Sequence, residues 1–192
     1  GNIITSPGGT NVNTPSVFFT SNTFGIVSNT TAETLLVGAG VGTRLIPANY
    51  ITNGKTFRLT AQGYYSTQLV PTTLNMRVRM GGGAEGTGGT VILTTGDQTP
   101  AGNLANQYWE IITNLTFMTT GASGTVIAQA VFDHTELSGL TGAPTYWEMV
   151  NTAAITINTT TENRVSLTAD LGATAAAADS MICTNFILES LN

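Results

Sequence analysis

Charge is what this 192-residue chain has least of. Charged residues make up 9% of it, where a usual soluble domain carries roughly a quarter. Lys55 is the only lysine, and six basic residues stand against a net charge of −5. That balance excludes a nucleic-acid surface, which needs clustered Lys and Arg to release counterions. It excludes a polybasic membrane patch for the same reason. The single cysteine, Cys183, rules out an intrachain disulfide. It sits in the apolar run 181–188 and reads as a small buried hydrophobe, because a nucleophile would want a basic, partly open neighbourhood. No apolar run nears the roughly 20 residues of a membrane span, so no membrane insertion is expected. Gly1-Asn2-Ile3-Ile4-Thr5 lacks the charged start and apolar core of a secretory signal.

What the chain has instead is threonine, about a fifth of all residues, with 22 glycines behind it. Threonine is β-branched and stiff at χ1, which suits a strand, and its hydroxyl wets a surface without charge. The length fits one domain, and a compact fold of this size removes roughly 70% of the extended chain's surface from water. Residues 1–15, polar and punctuated by Pro7, Gly8, Gly9 and Pro15, read as a flexible N-terminal arm; residues 16–192 read as the domain.

The most informative stretch runs from Gln107 to Val131. Trp109, Ile111, Leu115 and Phe117 fall on one face of a strand, with Thr113 as the polar interruption of that row. The opposite row carries Tyr108, Glu110, Asn114 and Thr116. A turn at Thr120-Gly121-Ala122-Ser123-Gly124 sends a second run, Thr125 to Phe132, back alongside. Similar alternation marks 56–66, where Gly63 signals a bulge or a close backbone approach, and also 73–80 and 164–171. Shorter runs lie at 16–20, 23–28, 91–93, 147–150, 153–157 and 180–189. Residues 33–46 read as a hairpin with a flexible glycine tip, and 81–89, 133–144 and 172–179 as loops that would carry partner contacts. About a dozen strands without a convincing amphipathic helix imply an all-β, antiparallel two-sheet β-sandwich of jelly-roll type.

Candidate chemistry is sparse. Gly81 to Gly86 satisfies G-x-G-x-x-G, but a strand follows where a phosphate site needs a helix N-terminus. Asp133-His134-Thr135-Glu136 places the only histidine between acids in an expected exposed loop, and a metal site there would lack a second imidazole. No G-x-S-x-G elbow accompanies His134, which leaves a hydrolytic triad without a nucleophile signature. The acids Glu110, Glu136, Glu148, Asp133 and Asp170 could supply carboxylate pairs, but any protein with 11 acids offers such pairs. No catalytic residue, cofactor or metal is expected. Tyr108-Trp109-Glu110 is echoed by Tyr146-Trp147-Glu148, which suits aromatic platforms for a sugar; strand tryptophans are also common core residues. Arg77 and Arg79, on one face of a strand, would pair with acids across a sheet or a subunit boundary.

Natural sheets guard their edges chiefly with charge, especially lysine. With almost none, this chain must cover its edges or use them. Neighbours bury neutral polar surface at small desolvation cost, which predicts self-association, a homotrimer held by sheet faces. The candidate contact or ligand surface is Tyr108, Glu110, Asn114, Thr116, Tyr146 and Trp147. A second reading is a carbohydrate- or receptor-binding module using Tyr108, Trp109, Tyr146 or Trp147, with a host-surface glycan as ligand.

The succession Thr43-Arg44-Leu45-Ile46-Pro47-Ala48-Asn49, Phe57 to Tyr65 and Leu74 to Arg79 resembles structural proteins of tailed phages and other DNA viruses. The Trp109-Glu110 strand with its turn from Thr119 to Thr125 shares that likeness, which covers roughly residues 30 to 190. The resemblance implies a jelly-roll virion component, a capsid-associated, decoration, spike or fibre subunit located in the virion. It would partner itself and other virion proteins and bring no catalytic residues with it.

Overall fold

The computed structural model describes residues 4–5, 11–12, 16–81, 86–136, 144–172 and 178–192. The expected arm falls largely outside these, as do residues 82–85 of the loop expected at 81–89, 137–143 of that at 133–144 and 173–177 of that at 172–179. Within 1–15 only a short pair is described, β1 (Ile4–Thr5) with β2 (Asn11–Val12). Then come β3 (Ser16–Ser21), β4 (Gly25–Ser28), β5 (Thr34–Leu35), β6 (Gly40–Gly42), β7 (Leu45–Ile46) and β8 (Thr56–Ser66). They are followed by β9 (Leu74–Gly81), β10 (Thr90–Thr94), β11 (Gln107–Thr119) and β12 (Gly124–Thr135). The last are β13 (Pro144–Val150), β14 (Ile155–Ile157), β15 (Asn163–Leu171) and β16 (Ser180–Ser190).

These build a two-sheet antiparallel β-sandwich. The large sheet runs β13-β12-β11-β8-β16-β3-β6, with β14 beside β12 and β4 beside β16; the small sheet runs β10-β9-β15-β5, with β7 beside β15. Period-2 alternation explains the core. Phe57, Leu59 and Ala61 of β8, Trp109, Ile111, Leu115 and Phe117 of β11, and Phe132 of β12 all point inward and are fully buried. From the small sheet Met76, Val78, Met80, Val165, Leu167 and Ala169 meet them in one apolar cluster. Burying each large side chain contributes about 1.5–3 kcal/mol. Thr113 interrupts its row without cost to satisfaction, since its hydroxyl donates to the Gln129 carbonyl at 2.9 Å.

Gly63 is a close approach. A Cβ there would lie 1.8 Å from the Ile182 carbonyl oxygen and 3.0 Å from the Trp109 ring, beside the bulge of β16 between Cys183 and Asn185. Cys183 is buried as expected, and burial pushes its thiol up to about 12. Arg77 and Arg79 do pair across the small sheet, Arg77 with Asp170 and Arg79 with Glu33 at 2.6 Å.

Two expectations are corrected. Residues 33–46 do not form a hairpin. β5 and β7 both pair with β15, whereas β6 pairs with β3, so this segment passes from the small sheet to the large one and back. Its glycines serve contact rather than flexibility: a Cβ on Gly40 would lie 2.2 Å from the Thr20 oxygen, and one on Gly42 2.1 Å from that of Phe18. His134 is not an exposed loop residue either. β12 continues to Thr135, the inward row of Ala128, Ala130 and Phe132 carries on to His134, and the imidazole is fully buried.

Candidate functional site

The outward row of β11 stays open to solvent. Register with its neighbours places the side chains in rows across the large sheet. One row reads Tyr146, Asp133, Glu110, Gln62 and Asn185 from β13 to β16. The next reads Glu148, Val131, Ile112, Thr60 and Ile187, and the third Val150, Gln129, Asn114, Arg58 and Glu189. Tyr108, opposite Tyr64, borders the first row, and Thr116, opposite Thr56 and Ile127, closes the last.

Two adjoining shallow grooves cross this face. The larger, about 520 Å³, is lined by Glu110, Ile112, Gln129, Val131, Asp133, Glu148 and Val150. The smaller, about 420 Å³, continues over Asn114, Thr116 and Ile127. The floor of the larger groove is aliphatic and open: Ile112 is 49% exposed, Val131 45% and Val150 53%. The Gln62 amide donates to Glu110 at 2.5 Å, and the Arg58 Nε donates to Asn114 at 3.4 Å. The Thr56 and Thr116 hydroxyls lie 3.2 Å apart. Partial burial, with the Glu110 carboxylate beside it, raises the Tyr108 phenol above its ordinary range.

Of the six surface residues read from the sequence, Tyr108, Glu110, Asn114 and Thr116 share this face, and Tyr146 joins them opposite Asp133. Trp147 alternates to the other side of β13. It is half-buried, stacked on Phe132 at 5.2 Å between centroids and 4.2 Å from the His134 ring. Trp109 is fully buried, stacked on Phe132, and its indole N–H donates to the Ile182 carbonyl at 3.2 Å. Neither tryptophan offers an open platform on the grooved face.

The sequence reading passed over Ile112, Val131 and Val150. A signal existed in the doublets Ile111-Ile112, Val131-Phe132 and Met149-Val150, where an alternating strand places an apolar residue on both faces. His134 has a structural setting, with an acceptor oxygen near each ring nitrogen. Its Nε2 lies 3.2 Å from the Glu136 carboxylate and its Nδ1 3.4 Å from the Phe132 carbonyl, beneath Trp147 and beside Tyr65. Burial, then the Glu136 charge, drives the Tyr65 phenol well above its ordinary range. Among the described residues, no group of three or more His, Cys, Asp or Glu side chains is placed to hold a metal ion.

No family model matches the chain, and no curated protein matches it. Among solved structures, the chain is similar to the CBM2 module of Lactobacillus casei BL23 phage J-1 evolved Dit, at 11% identity and a TM-score of 0.34, covering 100% of this chain and 80% of that one. A likeness of that size carries no inference about what this chain binds.

Proposed function

We propose that this chain is a non-enzymatic binding module of a virus particle, and that it attaches a host-surface carbohydrate or receptor through the outer face of β11, β12 and β13. The observation that carries the reading is the aliphatic floor of Ile112, Val131 and Val150, left open in a groove rimmed by Glu110, Gln129, Asp133 and Glu148. Isolated exposed aliphatics need no explanation, but a contiguous set with a polar margin marks a contact surface.

Strand order supports placing this face on a jelly roll, with 16–192 as one domain and 1–15 as its arm. Take β3, the β5–β7 segment, β8, β9, β10, β11, β15 and β16 as eight strands. They pair first with eighth, second with seventh, third with sixth and fourth with fifth, the pattern of a long hairpin rolled into two sheets. β12, β13 and β14 then extend the large sheet beyond that roll, and the main groove lies on the extension.

A second reading, self-association as a homotrimer within the virion, is favoured by the other half of the large sheet. There Val17, Phe24, Ile26 and Val41 are 53–71% exposed. The acidic half suits it less, because a copy laid on that half brings carboxylates against carboxylates.

Binding to glycan arrays and to cell-envelope material, measured for the purified chain and for Ile112→Asp/Val131→Asp, tests the attachment reading. Both positions are half-exposed but stand opposite each other in register, so two new carboxylates strain the pair; circular dichroism and a urea midpoint check the variant's fold, and the uncharged Ile112→Ser/Val131→Ser repeats the measurement. Saturable binding weakened about tenfold or more by the variant is the expected result; binding that the variant leaves unchanged, or no binding to either material, overturns it. Light scattering on the same samples reads out the trimer, and a monomer at micromolar concentration removes the second reading.

A further inference from the structure

The floor and margin of the groove together select an occupant, an inference that rests on the attachment reading of this face. Glu110 and Asp133 stand directly opposite in register, and Glu148 stands opposite Val131 in the next row. Like charges placed opposite each other destabilise a sheet. Among the described residues no lysine or arginine forms an ion pair with these three; Glu110 is bonded by the Gln62 amide instead. The cation that shares the face, Arg58, lies two rows along, bonded to Asn114 and opposite Glu189.

We propose that this face docks a basic segment of another protein. Lysine or arginine stems lie on Ile112, Val131 and Val150, and their charged heads reach Glu110, Asp133 and Glu148. Long basic side chains bury an aliphatic stem while the head stays polar, and charge-assisted bonds to carboxylates are the stronger class of hydrogen bond. The apolar floor makes the docking surface, and the carboxylates choose what docks. A second copy of this chain is a poor occupant. It brings the same acids, and among its six basic residues Arg77 and Arg79 are held by Asp170 and Glu33 while Arg44 is buried. A neutral saccharide stacks on aromatic faces, but this floor is aliphatic, both tryptophans turn away from it, and the exposed Tyr108 and Tyr146 stand beside the main groove rather than lining it.

Titration of the full chain with a labelled octalysine peptide, and with the same peptide acetylated on every lysine, tests the proposal. The chain binds octalysine about tenfold or more tightly than the acetylated peptide at low salt, and raising the salt weakens it. Glu110→Gln/Asp133→Asn/Glu148→Gln loses about tenfold or more. Glu85→Gln/Asp97→Asn/Glu162→Gln, which has the same net charge, retains binding. Ile112→Ser/Val150→Ser weakens binding too, since the stems lose their floor. Equal losses in the two triple variants would reduce the effect to bulk charge and overturn the proposal, as would a neutral hexasaccharide that binds the groove in place of the peptide. If Ile112→Asp/Val131→Asp abolishes envelope binding and the groove triple variant does not, attachment through this face stands and the basic partner falls. If neither variant changes envelope binding, both fall.

Discussion

Gly63 and Gly54 separate two reasons a chain uses glycine. Gly63 sits in the middle of β8 where any Cβ would overlap the Ile182 backbone oxygen at 1.8 Å, and backbone cannot give way as a flexible side chain can. Gly54 has open space around it and a φ of +80°, so a side chain there meets backbone strain alone. Gly63→Ala is therefore expected to cost about 3 kcal/mol, and Gly54→Ala about 1–2 kcal/mol. Urea midpoints of the two variants measure the difference, and similar losses at both would contradict the close-approach account. At this scale a glycine inside an alternating run is visible in sequence, but the strand that presses on it is not. His134 is the converse. Flanked by acids, it reads as loop, and only the pairing of β12 with β11 reveals that its row continues inward to a buried imidazole in contact with Glu136.

Elements with long alternation are readable because one face must be buried, and the inner rows of β8, β9, β11 and β15 follow from that alone. β5, β6 and β7 are two or three residues long and carry no period to read; their positions come from partners far along the chain. This segment also brings Glu33 onto the small sheet. Burial acts to raise the Glu33 carboxyl, but hydrogen bonds from Arg79 and Thr168 and the charges of Arg79 and Arg77 outweigh it and hold the group below its ordinary value of 4.5. A carboxylate whose pKa is lowered by folding adds stability that is fully present above the ordinary value and is lost as pH falls through the folded one. Glu33→Gln is accordingly expected to lose about 1–3 kcal/mol at neutral pH, the cost of leaving buried polar partners unmet. The gap between variant and parent should close as the pH drops below 4.5. Urea denaturation across that range measures it; a gap that stays constant with pH would place the effect in packing rather than charge.

Across the whole molecule, low charge produces an uneven surface. Two arginines, Arg77 and Arg79, are held on the small sheet by Asp170 and Glu33, while Glu110, Asp133 and Glu148 line the groove of the outer large-sheet face beside exposed aliphatics. The sequence shows the shortage of charge and the outward row of β11, but not that Asp133, Glu148 and Val150 join that row, because register between β11, β12 and β13 is a property of pairing. The attachment reading depends on that gathering. Carbodiimide labelling of carboxylates, read by mass spectrometry on the chain alone and on the chain bound to envelope material, tests it most directly. Glu110, Asp133 and Glu148 are expected to lose labelling on binding while exposed Glu162 keeps it; unchanged labelling of the three groove acids in the bound state would contradict the assignment of this face.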